Sequence, residues 1–278
     1  MNKRKTLNCN GKLICIDRPL VMGIVNVTPD SFFDGGRYPT ETDLLKRCGI
    51  IISEGGDIID IGAVSTRPGA QETNAGEELK RLDRALACLR KHFPEAIISV
   101  DTCRADVAKA VVEHYAVDII NDISGGSYDT RMFETVAKLN VPYVLTHIQG
   151  TLSTMQENPV YDNLMEDIIT YFSDRVHLLR SLGVKDIMID PGFGFGKTIA
   201  HNYEILRNLK KLEIFELPIL VGLSRKSMIY KILGTDALHA LNGTTVLNTV
   251  ALLGGADILR VHDVKEAVEC IMIMNYEL

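Results

Sequence analysis

Eight apolar, β-prone runs recur along the chain, with amphipathic segments between them. They occupy 20–26 (LVMGIVN), 57–60 (DIID), 97–101 (IISVD), 118–121 (DIIN), 141–147 (VPYVLTH), 186–190 (DIMID), 217–222 (LPILVG) and 257–260 (DILR). The intervening stretches, RADVAKAVVEH and MEDIITYFSDRVHLLRSLG among them, space their apolar residues as helices do. Strand–helix alternation repeated eight times, in a chain near ~250 residues, predicts an α/β fold, the (β/α)8 TIM barrel. The runs are apolar almost throughout, as parallel strands covered on both faces must be. An open doubly wound sheet is the alternative. It would carry a glycine-rich fingerprint early in the chain, and none is present. No Pro/Ser-rich linker or charge block divides the sequence, so residues 1–278 read as a single domain. Ahead of the first run, Asn10-Gly11 separates two short β-prone segments, which predicts a hairpin within residues 1–18.

Each run ends in, or runs into, polar residues: Asn26, Asp60, Asp101, Asn121, His147, Asp190, Ser224-Arg225-Lys226 and Arg260. In a barrel these ends converge at one mouth, where active sites are built. Two long connections follow the first two runs, residues 27–40 and 62–74. Connections of this kind usually span about 2–6 residues, and longer ones at the mouth act as lids or clamps. In the second, Thr66-Arg67-Pro68-Gly69 offers a hydroxyl, a guanidinium and a rigid turn, which suit an anionic group. Arg225, Lys226 and Ser227 open the segment after the seventh run, a second arrangement for carboxylate or phosphate. Arg260 and His262, two residues apart in an extended chain, point the same way. His147 lines the pocket with no role readable from its neighbours.

The stretch DPGFGFGKT (190–198) looks like a nucleotide loop and fails the test. A Walker A loop needs glycine where Pro191 stands, and G-x-G-x-x-G needs it at Lys197. The glycines more simply let the backbone approach a ligand and turn after Asp190. Lys197 and Thr198 are expected to do no more than begin the next helix.

Composition narrows the function. The net charge of −6 and sequence pI near 5.7 argue against a nucleic-acid surface. The six cysteines (Cys9, Cys15, Cys48, Cys88, Cys103, Cys270) are scattered without a CxxC pair, so no disulfide or zinc framework is expected. No run approaches the roughly 20 apolar residues of a membrane span. The basic N-terminus has no apolar stretch behind it, so the expected location is the cytoplasm. Acceptors (Asp101, Asn121, Asp190) and cations (Arg67, Lys226, Arg260) at one mouth fit a small ligand with N–H donors and an anionic tail.

In this order, MGIVNVTPDSFFDGG, IIDIGAVSTRPGA, SVDT, NDISGG, DPGFGFGKT, GLSRKSMI and LRVHDV resemble the dihydropteroate synthase family of bacterial folate synthesis, from about residue 20 to the end. The resemblance implies a TIM barrel. It also implies condensation of 6-hydroxymethyl-7,8-dihydropterin diphosphate with 4-aminobenzoate, dependence on Mg²⁺, inhibition by sulfonamides and a homodimer formed through helices in 236–253 and 263–277. Residue by residue, it assigns Asp190 and Asn121 to the pyrimidine end of the pterin, and Asp101 to the dihydropyrazine ring. Lys226 falls to the pterin carbonyl and N5 side, with Phe195 packed near the ring. Arg260 stacks over that ring and holds the diphosphate with His262. Asn26 falls to the metal, and Thr66 and Arg67 to closure over the substrate. Ser227, Phe32 and Pro68 fall to the aminobenzoate. The resemblance thus implies Asp101, Lys226 and Arg260 as the catalytic residues. Three departures stand out: GAVSTRPG for the commoner GGESTRPG, THIQG for MHMQG, and Cys103 where an aromatic is frequent. A pterin-binding methyltransferase and a pterin binder that has lost catalysis are the rival readings.

Overall fold

The computed structural model describes residues 5–28, 40–64, 73–152, 154–155 and 159–276. Strands β1 (Lys5–Cys9) and β2 (Lys12–Ile16) form the expected hairpin. Cys9 pairs with Lys12, so Asn10-Gly11 is a two-residue turn, and both residues have positive φ (50° and 86°). That is the backbone a type I′ turn requires, and Asn-Gly adopts it at the least cost.

The eight apolar runs become eight parallel strands. These are β3 (Leu20–Asn26), β4 (Ile58–Gly62), β5 (Ile97–Asp101), β6 (Ile119–Asp122), β7 (Tyr143–Thr146), β8 (Ile187–Asp190), β9 (Leu220–Val221) and β10 (Ile258–Val261). Their order in the sheet is β8-β7-β6-β5-β4-β3-β10-β9. A parallel bridge between Ile189 and Ile219 joins the two ends, closing the barrel. β7 and β9 are shorter than the apolar runs that contain them, because Pro142 and Pro218 have no N–H to donate. Their carbonyls still accept, from Ile120 and Ile189 respectively.

Helices fill the connections: α1 (Glu41–Ser53), α2 (Ala75–His92), α3 (Ala105–Tyr115), α4 (Met132–Leu139), α5 (Leu164–Ser181), α6 (Ile199–Arg207), the single turn α7 (Ser227–Tyr230), α8 (Leu241–Leu253) and α9 (Val264–Met274). Side-chain caps start several of them. Thr40 and Thr198 each form a capping box, and Asn74 and Asn163 accept from the third backbone N–H. α8 starts five residues later than the 236–253 segment, since Asp236 Oδ1 accepts from the Leu238 and His239 amides and holds a turn there.

Strand periodicity sorts side chains onto two faces. Ile59, Ile61, Val100, Ile120, Leu145, Ile189, Val221 and Leu259 pack outward beneath the helices. Leu20, Met22, Ile58, Ile119, Val144, Met188, Leu220 and Ile258 fill the lower half of the barrel interior. Leu7 and Cys9 of the hairpin, both fully buried, pack onto that interior cluster. Lys5 pairs with Asp257 at 2.7 Å, and the Asn10 amide reaches the carbonyls of Ala116 and Val117. The hairpin is therefore a plug for the lower end of the barrel, and ligands must enter at the other.

Candidate active site at the barrel mouth

One pleat repeat above the apolar floor the interior turns polar. Ile58 is followed on its face by Asp60, Ile97 by Ser99 and Asp101, and Ile119 by Asn121. Val144 is followed by Thr146, Met188 by Asp190, and Ile258 by Arg260. Asp60, Ser99, Asn121, Thr146 and Asp190 are all buried. Buried polar groups of this density must satisfy one another.

Arg260 is the hub. Its Nε lies 2.7 Å from Asp60 Oδ2 and its Nη2 2.8 Å from Asp101 Oδ2. Ser99 Oγ donates to Asp60 Oδ1 at 2.6 Å, and Asn121 Nδ2 donates to Asp60 Oδ2 at 3.3 Å. Burial pushes the Asp101 carboxyl up to about 7, although Arg260 pulls the other way. Burial alone would lower Arg260, but Asp60 and Asp101 outweigh it and raise the guanidinium above its usual range. Sequence reasoning marked Asp60 only as a polar strand end. In the structure it carries Arg260 and fixes the orientation of Asn121.

Asn121 spends its NH2 group on Asp60, and its Oδ1, buried, has no hydrogen-bond partner; nor has Thr146 Oγ1 on the next strand. Asp190, on the strand after that, accepts from the Gly192 amide at 2.7 Å. Burial raises its carboxyl, and Lys226, Gly192, Arg260 and Lys197 moderate the rise. Lys226 donates to the Phe193 carbonyl, and its Nζ lies 4.9 Å from the centre of the Phe195 ring. Burial lowers its ammonium to about 8, with Asp190 opposing. Asp101, Asn121, Asp190, Phe195, Lys226 and Arg260 thus lie together at one end of the barrel.

Asn26 closes β3 opposite Gly62. A Cβ on Gly62 would lie 3.5 Å from Asn26 Oδ1 and 3.9 Å from Asp101 Oδ2, so the missing side chain leaves these two oxygens on the same side. Ser224 Oγ is 3.0 Å from His262 Nδ1 and also accepts from the His262 amide at 3.1 Å. The serine thus anchors both the backbone and the ring of His262, leaving Nε2 as the ring nitrogen not engaged by Ser224. Burial, then Arg260, lowers His262 to about 4, so it meets a ligand as a neutral imidazole. Ser227, half-buried, follows Lys226 at the start of α7. Phe32, Thr66, Arg67 and Pro68 lie outside the described residues.

Two sequence expectations need correction. Arg225 is no free cation: its guanidinium grips Asp263 at 2.9 and 2.8 Å and the carbonyls of Ala237 and Leu238. It ties the β9–α7 loop to the end of β10, from a left-handed backbone (φ 57°). Lys197 does more than precede a helix: Thr198 alone caps α6, while Lys197 is buried against His147. Neither partner is near in sequence, so no local pattern announces these pairs. Among the described residues the one His/Cys/Asp/Glu trio close enough to share an ion is Glu41, Cys88 and His92. It lies on α1 and α2, outside the barrel interior, and its thiol and imidazole are donors that Mg²⁺ does not favour.

Comparison with known proteins agrees with this geometry. The family model described as "Pterin binding enzyme" matches residues 22–262. The dihydropteroate synthase of Escherichia coli (strain K12) is 40% identical over 271 residues, covering 97% of this chain and 95% of that protein. The Yersinia pestis dihydropteroate synthase, solved with a sulfonamide drug complex, superposes with a TM-score of 0.91 at 41% identity, covering 96% of this chain and 97% of that one. The Xanthomonas albilineans dihydropteroate synthase, solved with 4-aminobenzoic acid, gives 0.90 at 35% identity, covering 98% and 97%. A closed parallel barrel, three acceptors on three neighbouring strands, and these matches along nearly the whole chain lead to one conclusion: the chain belongs to the pterin-binding enzymes, and within them to the dihydropteroate synthases.

Proposed function

We propose that the barrel mouth binds a dihydropterin diphosphate through β6, β7 and β8, and that its own residues promote departure of pyrophosphate ahead of amine attack. The activity is that of a dihydropteroate synthase: (7,8-dihydropterin-6-yl)methyl diphosphate and 4-aminobenzoate give 7,8-dihydropteroate and pyrophosphate. The observation that carries the site is Asn121 Oδ1, a buried acceptor without a partner, whose amide is locked by Asp60. A buried, unpaired acceptor is costly unless a ligand donates to it. The N–H groups on a pterin edge are such donors, and the Asp190 carboxylate accepts beside them. Lys226 donates to the pterin carbonyl and N5 side, over the Phe195 ring.

The chemistry breaks the bond from the exocyclic methylene carbon to the diphosphate oxygen, whose electron pair leaves with pyrophosphate. The electron-rich dihydropterin stabilises the resulting cation, and Asp101, ionised, lies beside it. The neutral aniline nitrogen then donates its lone pair to the methylene carbon and releases a proton. No strong general base is needed before attack, in keeping with a mouth histidine whose pKa, lowered to about 4, makes it a weak base. Arg260 spends Nε and Nη2 on the carboxylates; among the described residues Nη1 meets no acceptor and is available, with His262 beside it, to the diphosphate. The Asn26 amide oxygen is a hard donor suited to Mg²⁺, which keeps most of its waters and takes few protein ligands. Bound there, Mg²⁺ would offset charge on the leaving group. Ser227, Phe32 and Pro68 are assigned to the aminobenzoate, and Thr66 and Arg67 to closing the site against water. Sulfonamides are then inhibitors that take the aminobenzoate place.

We assign the protein to the cytoplasm and to a homodimer. α8 exposes Val246, Val250 and Leu253, and α9 with its end exposes Met272, Ile273 and Tyr276. The two helices pack together, and exposed apolar side chains on neighbouring helices are the kind of surface obligate dimers bury. The deciding assay is pyrophosphate release from the dihydropterin diphosphate, dependent on aminobenzoate and Mg²⁺. No release sinks the activity. Strict dependence of release on aminobenzoate, without formation of the pterin alcohol in its absence, sinks the dissociative order.

A further inference from the structure

Lys197 is almost wholly buried beneath the loop that follows β8. Its Nζ lies 2.9 Å from the Gly192 carbonyl, 2.8 Å from the Phe195 carbonyl, 3.2 Å from the His147 carbonyl and 2.9 Å from His147 Nδ1. The first two acceptors belong to the loop and the last two to the end of β7. Burial pulls the Lys197 pKa well down, and Asp190 pulls it back. Three carbonyls and the His147 ring nitrogen surround Nζ, so every N–H of the buried amino group finds an acceptor within this cage. His147 is lowered to about 2, by burial first and Lys197 second, so its ring is neutral.

The same loop builds one wall of the mouth. Gly192 donates to Asp190, Phe193 accepts from Lys226, and the Phe195 ring lies by the Lys226 ammonium. It is pressed flat on the end of β7. A Cβ on Gly192 (φ 69°) would fall 1.9 Å from the His147 carbonyl oxygen, and one on Gly196 (φ 62°) 2.6 Å from that of Gln149. No strand ladder holds a loop in that position; Tyr161 donates to the Gly196 carbonyl at its far end, the Gly194 amide donates to Asn202 Oδ1 of α6 at 2.7 Å, and Lys197 ties the loop to the end of β7.

We propose that Lys197 is a positioning residue: a buried amino group that clamps the 191–197 loop to the end of β7, and so fixes Asp190 and Phe195 for the pterin ring. The proposal rests on the pterin site described above. It concerns only the pterin half of the site. Ser227 and the diphosphate-facing groups Arg260 and His262 sit on other strands and loops, and the clamp does not touch them.

The test compares three single variants of the full chain, Lys197→Met, His147→Asn and Asp190→Asn. Each is titrated calorimetrically with 6-hydroxymethylpterin, and KM is measured for aminobenzoate at saturating dihydropterin diphosphate. Lys197→Met keeps the length of the side chain and removes its amino group. It is expected to raise the pterin Kd about tenfold, the effect of losing one or two buried hydrogen bonds. The aminobenzoate KM is expected to stay within about twofold, a split that general loss of structure does not produce. His147→Asn, the milder change, is expected to raise the pterin Kd about threefold, and it carries the decision if Lys197→Met does not fold. Pterin affinity unchanged in the foldable variant, or weakened equally with aminobenzoate, overturns the clamp so long as Asp190→Asn weakens pterin binding. If Asp190→Asn also binds pterin normally, the pterin site itself is misassigned.

Discussion

Replacing Arg260 by methionine keeps most of the side-chain volume and removes the cation that bridges Asp60 and Asp101. Asp60 is fully buried, so its charge has nowhere to relax. Removing one partner of a buried ion pair costs about 3–5 kcal/mol, because the other charge stays uncompensated. Here Ser99 and Asn121 still donate to Asp60, which places the expected loss toward the lower end of that range. At about 2–4 °C per kcal/mol for chains of comparable size, Tm should fall by roughly 6–16 °C. The loss must depend on pH in a definite sense. In the native protein the Asp101 pKa, about 7, lies above the ordinary carboxylate value of 3.8, so the folded state holds the proton more tightly. Stability therefore falls as pH rises from about 4 through 7. Removing Arg260 removes an influence that lowers this pKa, so the window extends further upward. The Tm gap between the native protein and Arg260→Met should accordingly be wide at pH 8 and narrow at pH 5. Differential scanning calorimetry at the two pH values measures it. A fall under about 2 °C at pH 8, or a gap that does not narrow at pH 5, would refute the claim that Arg260 neutralises the two carboxylates.

The pH profile of kcat/KM should be a narrow bell. Its acid limb lies near 7, where Asp101 must ionise, and its alkaline limb near 8, where Lys226 must keep its proton; a plateau across pH 6–9 contradicts both roles. Leu7→Ala cuts a fully buried side chain from the hairpin plug, at a cost of about 2–5 kcal/mol. Chemical denaturation should show it with little change in KM for either substrate. Glutamate at both Val250 and Leu253 places charges on the exposed face of α8, and light scattering should report a monomer; a dimer of unchanged mass rules that face out as the interface.

The barrel was legible because its signal is local and repeated. Each apolar run is a strand covered on both faces, and its polar terminal residue falls at the mouth by strand geometry alone. This places Asp101, Asn121, Asp190 and Arg260 together without any knowledge of their contacts. The hairpin was equally legible, since Asn10-Gly11 specifies its own turn. What the sequence hid are pairings across the fold. Lys197 meets a histidine fifty positions away, and Arg225 meets an aspartate thirty-eight positions away. Arg225 looked available and Lys197 looked like a mere helix start because the partner of each is invisible to local pattern. Asp60 was hidden for the opposite reason: it holds other residues in place and keeps no free lone pair for a ligand to advertise.

The charges at the mouth explain how its parts depend on one another. Asp60, Asp101 and Asp190 are answered by Arg260 and Lys226, and Asp101, raised to about 7, carries only part of a charge, so the protein's own groups leave the interior close to neutral. Such balance is what makes these carboxylates tolerable above an apolar floor. It also means that neither cation is surplus. A diphosphate entering this mouth brings negative charge that Arg260 answers only by sharing what it already gives to Asp60 and Asp101. On the proposed reading the remaining charge must come from outside the barrel interior, from a divalent cation at Asn26 and from the guanidinium of Arg67. Binding of the anion is then coupled to metal and loop, while the pterin ring is read by acceptors that the barrel alone holds in place. The expected consequence is a separation of requirements: affinity for a pterin without the diphosphate should be insensitive to Mg²⁺ and to Arg67→Ala, and affinity for the diphosphate should depend on both. Equal sensitivity of the two ligands in calorimetry would mean that the interior is not neutral and that this account of its charges is wrong.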